Sequence, residues 1–279
     1  MKRLLSIELQ KIWKNKASKV LSITYFVILS FIALIASIKF DIGPVHIDAA
    51  ETGIFNFPYI WHFNTYIAAI LKFFLAVVIV SMMANEYSYG TLKQNLIDGM
   101  SKMEFIQSKF LTVLVFAGVS TAFVFVMTLI LGYSFSSYNE FSIVFSDLEY
   151  LLAYFIKLVG FFSFCLFLGI LVKRSAFALG FLLVWFVAEN IMHGIMYRFI
   201  FNNDDEMASK IFSAFPLESM SGLIVEPFSR LSFIKTIGNQ IGVEGMKDYG
   251  VHFSSILIVL AWTVIFMLMS YKILQKRDL

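Results

Sequence analysis

Lys72, Lys157 and Glu189 each fall inside a long apolar run, and His193 follows Glu189 by four residues, on the same face of a helix. A charge held at the centre of a bilayer costs on the order of 2.5–3.5 kcal/mol on insertion scales, so such groups need a partner, a wet cavity or a route to the headgroups. Glu189-x-x-x-His193 has the i, i+4 spacing of metal ligands, but the chain contains no His-Glu-x-x-His. His46, His62 and His252 lie in or beside the connectors rather than within the runs, which weighs against a membrane metalloprotease. No Ser-His-Asp constellation can be assigned from the sequence. There is no Gly-x-x-x-x-Gly-Lys-Ser/Thr phosphate loop, so energy for any work must come from a partner or a gradient. The single cysteine, Cys165, closes off disulfide and multi-cysteine metal readings.

The elements that must position these groups are membrane helices. Hydrophobic residues make up 59% of the 279 residues and charged ones 15%. Six runs approach the roughly 20 residues that cross hydrocarbon: Val20–Ile38, Ile67–Met83, Phe110–Gly132, Leu151–Val172, Ala176–Tyr197 and Phe253–Leu274. Basic residues precede the first run, occupy the connector at 84–109 and follow the last run. The connector at Tyr133–Tyr150 has none and carries Glu140, Asp147 and Glu149. The positive-inside rule then places both termini in the cytoplasm of a cell (inner) membrane protein, and the long connector at 198–252 outside. Residues 1–19 put Leu5, Leu9, Ile12 and Trp13 on one face, which suits an interfacial helix. The first run exceeds a signal-peptide core and is expected to stay as an anchor. The expectation is therefore an all-α, polytopic, single-domain chain (1–279) whose surroundings are the lipid bilayer, with no nucleic-acid partner.

Within that frame two arrangements of the intramembrane charges are open. Glu189 pairs with Lys72 or Lys157 in the outer half of the bundle, with His193 joining the network. Alternatively, both lysines snorkel to the headgroups while Glu189 binds a neighbouring helix.

The connector carries the most specific pattern. Glu86-x-x-x-Gly90-Thr91 is followed by Leu92 and Leu96, then Ser101-Lys102, and Lys109 opens the next run. Gly90 permits a sharp turn or a positive φ, and Leu92, Leu96 and Ile97 form an apolar face beside Lys93 and Lys102. This resembles the first cytoplasmic connector of type-2 ABC transporter permeases, although Gly99-Met100-Ser101-Lys102 stands where many relatives have a proline before a Ser-Arg pair. The resemblance implies that Tyr87–Phe105 is a coupling helix docking on a cytoplasmic ABC ATPase, through Glu86, Gly90, Thr91, Leu92, Leu96, Lys102 and Lys109. It implies no enzyme activity and no cofactor on this chain, with ATP and Mg2+ on the ATPase. It also implies a homodimer or heterodimer with a second permease, and an outer gate that includes Lys72, Glu189 and His193. A secondary carrier using Lys72, Lys157 and Glu189 and a non-transporting scaffold are the alternatives; the carrier would call for helices interrupted in mid-membrane, and the runs show no sign of one.

Overall fold

A computed structural model describes residues 2–37, 40–42, 45–47, 53–201, 204–230 and 248–277. Lys39, Gly43 and Pro44 of the first loop and 202–203 and 231–247 of the long connector lie outside the described residues. The fold is helical, with one small antiparallel hairpin, β1 (Phe40–Ile42) and β2 (Val45–Ile47), in which Phe40 faces Ile47. The N-terminal helix α1 (Lys2–Lys14) breaks at Asn15, whose side-chain oxygen accepts from the Ser18 amide (3.0 Å), and α2 (Lys16–Ser37) follows.

Among the described residues five helices are long and apolar enough to cross a membrane, which makes this a membrane protein: α2, α6 (Lys102–Phe135), α8 (Glu149–Val172), α9 (Ser175–Ile195, continued by a π turn at Met196–Ile200) and α12 (Phe253–Lys276). A sixth candidate is a pair. Helix α3 (Tyr59–Ile70) and α4 (Lys72–Ser88) pass the same test together but meet at a 44° bend at Leu71. This corrects two expectations: the second run begins near Tyr59 rather than Ile67, and one helix is interrupted, directly before Lys72. Helix α6 likewise starts at Lys102 rather than Phe110. There, Ser101 Oγ accepts from the Glu104 amide and Glu104 returns a bond to the Ser101 amide, a reciprocal cap that begins the helix well before its apolar run.

Helix α8 is the axis of the bundle, buried along nearly its whole length and packed against α12, α4, α6 and α9. A helix that is apolar all round belongs at such a centre. Small residues allow the close approach: a Cβ on Gly169 would stand 2.9 Å from Met83 Cβ and 3.4 Å from the Val80 carbonyl, and one on Gly160 would stand 2.8 Å from Val259. Polar atoms in this apolar interior find each other. The hydroxyls of Tyr25, Ser120 and Tyr154 close a buried triangle with edges of 2.5, 2.6 and 2.8 Å, tying α2, α6 and α8 together.

The short helices α5 (Thr91–Ile97), α7 (Phe141–Val144), α10 (Asp205–Phe212) and α11 (Pro216–Gly222) fill the connectors. Helix α11 packs against α8, α9 and α12, so the long connector folds back onto the bundle. Replacing Gly169 with Ala is expected to lower the melting temperature in detergent, at a cost of about 1–3 kcal/mol for overpacking. Gly180→Ala, where a Cβ meets open space, is expected to leave it unchanged.

Candidate functional site

At the end of the bundle where α4 meets α6, four charged side chains form one network. The Glu86 carboxylate, 3% exposed, accepts through Oε1 from Lys109 Nζ (2.6 Å) and Lys11 Nζ (2.9 Å), and through Oε2 from Thr91 Oγ1 (2.5 Å). Glu8 completes it, accepting from Lys11 Nζ (3.2 Å) and from Lys109, whose side chain is fully buried. The five groups come from four stretches of chain: Glu8 and Lys11 on α1, Glu86 on α4, Thr91 on α5 and Lys109 on α6. Gly90, at φ +67°, turns the chain between α4 and α5 and so brings Thr91 back to Glu86. Burial alone depresses the Lys11 ammonium, but the Glu86 hydrogen bond and the charges of Glu8 and Glu86 outweigh it and hold its pKa above the ordinary lysine value.

The connector's apolar face is arranged differently from the expectation. Leu92 is 2% exposed and Leu96 half-buried, both turned into the bundle; only Ile97, 73% exposed, remains outward, joined by Tyr89. An amphipathic segment attached to an apolar bundle buries its leucines locally first, so the surface it offers is Tyr89, Lys93, Gln94, Ile97 and Asp98. Lys102 is also turned inward, donating to the Gln275 and Arg277 carbonyls at 3.1 and 3.0 Å. Arg277 in turn reaches Tyr87 Oη (2.9 Å) and the Ile170 and Leu171 carbonyls at the end of α8 (2.6 and 2.9 Å). The last described residues are thereby fastened to the connector.

The intramembrane charges share one cavity of about 420 Å³, lined by Lys72, Lys157, Glu189 and Glu218 together with apolar side chains. Among the described residues neither lysine pairs with Glu189, which corrects the expected ion pair. Glu189 instead accepts from Trp185 Nε1 (2.6 Å) and from the Leu217 and Glu218 amides (3.1 and 3.2 Å) at the start of α11. Lys157, 3% exposed, donates to the Ser221 carbonyl (3.0 Å) near the end of the same helix and does not snorkel. The carboxylate at the amino end and the ammonium at the carboxyl end both complement the dipole of α11, which is why they bind it rather than one another. His193 makes no hydrogen bond to Glu189; its ring stacks on Phe212 at 4.5 Å and its buried Nε2 has no partner among the described residues. Lys72 lies over the Phe161 ring, 4.7 Å from its centroid.

At the opposite end of the bundle, His62 is a buried residue of α3 rather than a loop residue. Its ring stacks on Tyr150 at 4.4 Å, Nε2 lies 2.7 Å from the Val225 carbonyl and Nδ1 lies 3.1 Å from the Arg230 guanidinium. Sequence reasoning did not assign Glu8, Lys11, Arg230 or Arg277 to any site. One signal was available for Glu8, the sole carboxylate among the first nineteen, otherwise basic, residues. Arg230 and Arg277 carried none, because their partners are aromatic side chains and backbone carbonyls far away in the chain, which no spacing reveals.

A family model described as protein of unknown function (DUF2705) matches residues 45–279, and the chain belongs to that family. The match begins after α2, so Glu8 and Lys11 lie outside it. No curated protein matches the chain.

Lys109→Met leaves two buried carboxylates facing Lys11 alone, and the expected loss is about 3–5 kcal/mol of stability. The Glu86→Gln/Lys109→Met double variant is expected to lose less than the sum of the single variants, read from melting temperatures in a double-mutant cycle. The Lys11 contribution is complete below the unfolded lysine value of about 10.5 and is lost as pH climbs through the higher folded value. Lys11→Met should therefore remove stability at pH 8 and converge on the parent only in strong alkali.

Proposed function

Given membership of a family without an assigned function, we propose that this chain is the permease subunit of an ATP-driven ABC transporter, an exporter. It forms the translocation path as a dimer, and a separate cytoplasmic ATPase carrying ATP and Mg2+ drives it. On this reading the bent α3–α4 pair is the second of six spans, and α1, α5 and the C-terminus face the cytoplasm. The asymmetry of basic residues supports that orientation.

The observation that carries the proposal is the Glu86 carboxylate, bonded at once to α1, α5 and α6. A load applied to the outward residues of α5 passes through Thr91 to Glu86, and from there to Lys109 and the first helix. The buried leucines make α5 a firm lever, and Tyr89, Lys93 and Ile97 are the groups left for a partner to grip. Nucleotide-dependent closure of the ATPases then favours one arrangement of the spans over another, by binding α5 more tightly in that state.

A secondary carrier is the second reading, supported by the 44° interruption at Leu71 and the ionisable cavity beside it. The two separate by their energy source. Purification in mild detergent is expected to capture an ATPase, and Ile97→Glu together with Tyr89→Ala to release it without lowering the melting temperature. Gradient-driven uptake by the chain alone, with no ATPase bound, would establish the carrier instead. Orientation follows from thiol labelling in a Cys165→Ser background: Lys93→Cys is expected to react only after permeabilisation, and Asp248→Cys in intact cells.

A further inference from the structure

Among the described residues, the cavity between α4, α8, α9 and α11 holds a lysine ammonium, that of Lys72, with no hydrogen-bond partner. Lys157 is committed to the Ser221 carbonyl, and both Glu189 oxygens accept from Trp185 and the start of α11. Burial, and then the adjacent Glu189 charge, push the Glu218 carboxyl up, against smaller opposing contributions from His193 and Lys157. Among the described residues Lys72 has no hydrogen bond and no ion pair; its ammonium lies over the rings of Phe161 and Phe73, 4.7 and 5.9 Å from their centroids. An ammonium that donates to no group of the protein, beside an apolar cavity, is free to bind an anion.

The shape of the cavity says what else the anion carries. At about 420 Å³ it lies within the 300–1,000 Å³ usual for small-molecule sites. Phe73, Leu183 and Phe186, which line it, are also at least half exposed on the flank of the bundle, so it opens sideways between α4 and α9 onto the surface that hydrocarbon covers. We propose that this cavity binds an anionic amphiphile, its phosphate or carboxylate group on the Lys72 ammonium and its hydrocarbon chain among Phe73, Phe161, Leu183 and Phe186. The ligand enters laterally, and binding requires no ATPase, so the inference stands or falls separately from the transporter reading.

The test is equilibrium binding of radiolabelled dodecyl phosphate to the purified full-length protein in uncharged maltoside micelles. Saturable binding at one site per chain is expected, competed by unlabelled dodecyl phosphate and not by dodecanol, dodecylphosphocholine or millimolar inorganic phosphate. Lys72→Met should weaken it by roughly ten- to hundredfold, the equivalent of one charge-assisted hydrogen bond, while Lys72→Arg retains it. Lys16→Met, an exposed lysine at the start of α2, should leave it unchanged. Equal competition by dodecanol, or equal loss with Lys16→Met, would overturn the proposal by showing partition into the micelle or diffuse charge attraction. Competition by inorganic phosphate would overturn it in favour of a small-anion site. Should Lys72→Met fail to fold, the competition series on the parent protein decides alone.

Discussion

The network of Glu8, Lys11, Glu86 and Lys109 sets the geometry of one whole end of the molecule. Three of the four side chains are almost completely removed from solvent, and each carboxylate is shared between two ammonium groups. A buried ion pair is a weak source of net stability because desolvation offsets most of the attraction, but it tolerates no misplacement of its members. It therefore acts mainly as a register: α1, α4, α5 and α6 can meet in one arrangement that leaves no charge bare. Leu92 beneath α5 and the Arg277 and Lys102 contacts at the C-terminus complete that end with bonds to carbonyls and packed apolar surface.

Most buried polar side chains of the bundle follow the complementary rule that polar groups in hydrocarbon are satisfied within the protein; among the described residues the hydroxyls of Ser22, Ser163 and Ser270 and the His193 Nε2 are exceptions. Helix α11 is a short helix with both ends exposed to that demand, and Glu189 and Lys157 meet it from two different spans. The bend at Leu71 obeys the same rule, since irregular backbone at such depth occurs where it is covered by protein or lines a cavity, and the residue after the bend lines one. Lys157 and Glu189, left by the sequence between pairing and separate partners, are thus structural supports of a folded-back connector. Lys72 is the one left over.

Much of the framework was legible without coordinates. Long apolar runs admit only helices in a bilayer, so five of the six expected runs coincide with candidate spanning helices to within a turn at most ends, and the sixth straddles the bend between α3 and α4. Gly90 was legible as a turn because few other residues accept a positive φ. The starts of α3 and α6 were not, because Trp61, His62, Lys102 and Glu104 are polar or amphipathic residues that hydropathy leaves outside a span while local caps and ring stacking hold them in helix.

Composition and patterning by themselves determined that the chain lies in a membrane, roughly where its helices run, and which few charges had to be accounted for. Those properties depend on summed transfer energies and local backbone preferences, which one residue's neighbours in sequence suffice to specify. The tertiary structure alone decided the partners: that Glu86 shares both Lys11 and Lys109 with Glu8, that Glu189 and Lys157 bracket α11, and that Leu92 faces inward. Partnership in a low-dielectric interior is settled by distances of a few ångströms between segments far apart in the chain, and competing acceptors as ordinary as a backbone carbonyl leave no mark in the sequence.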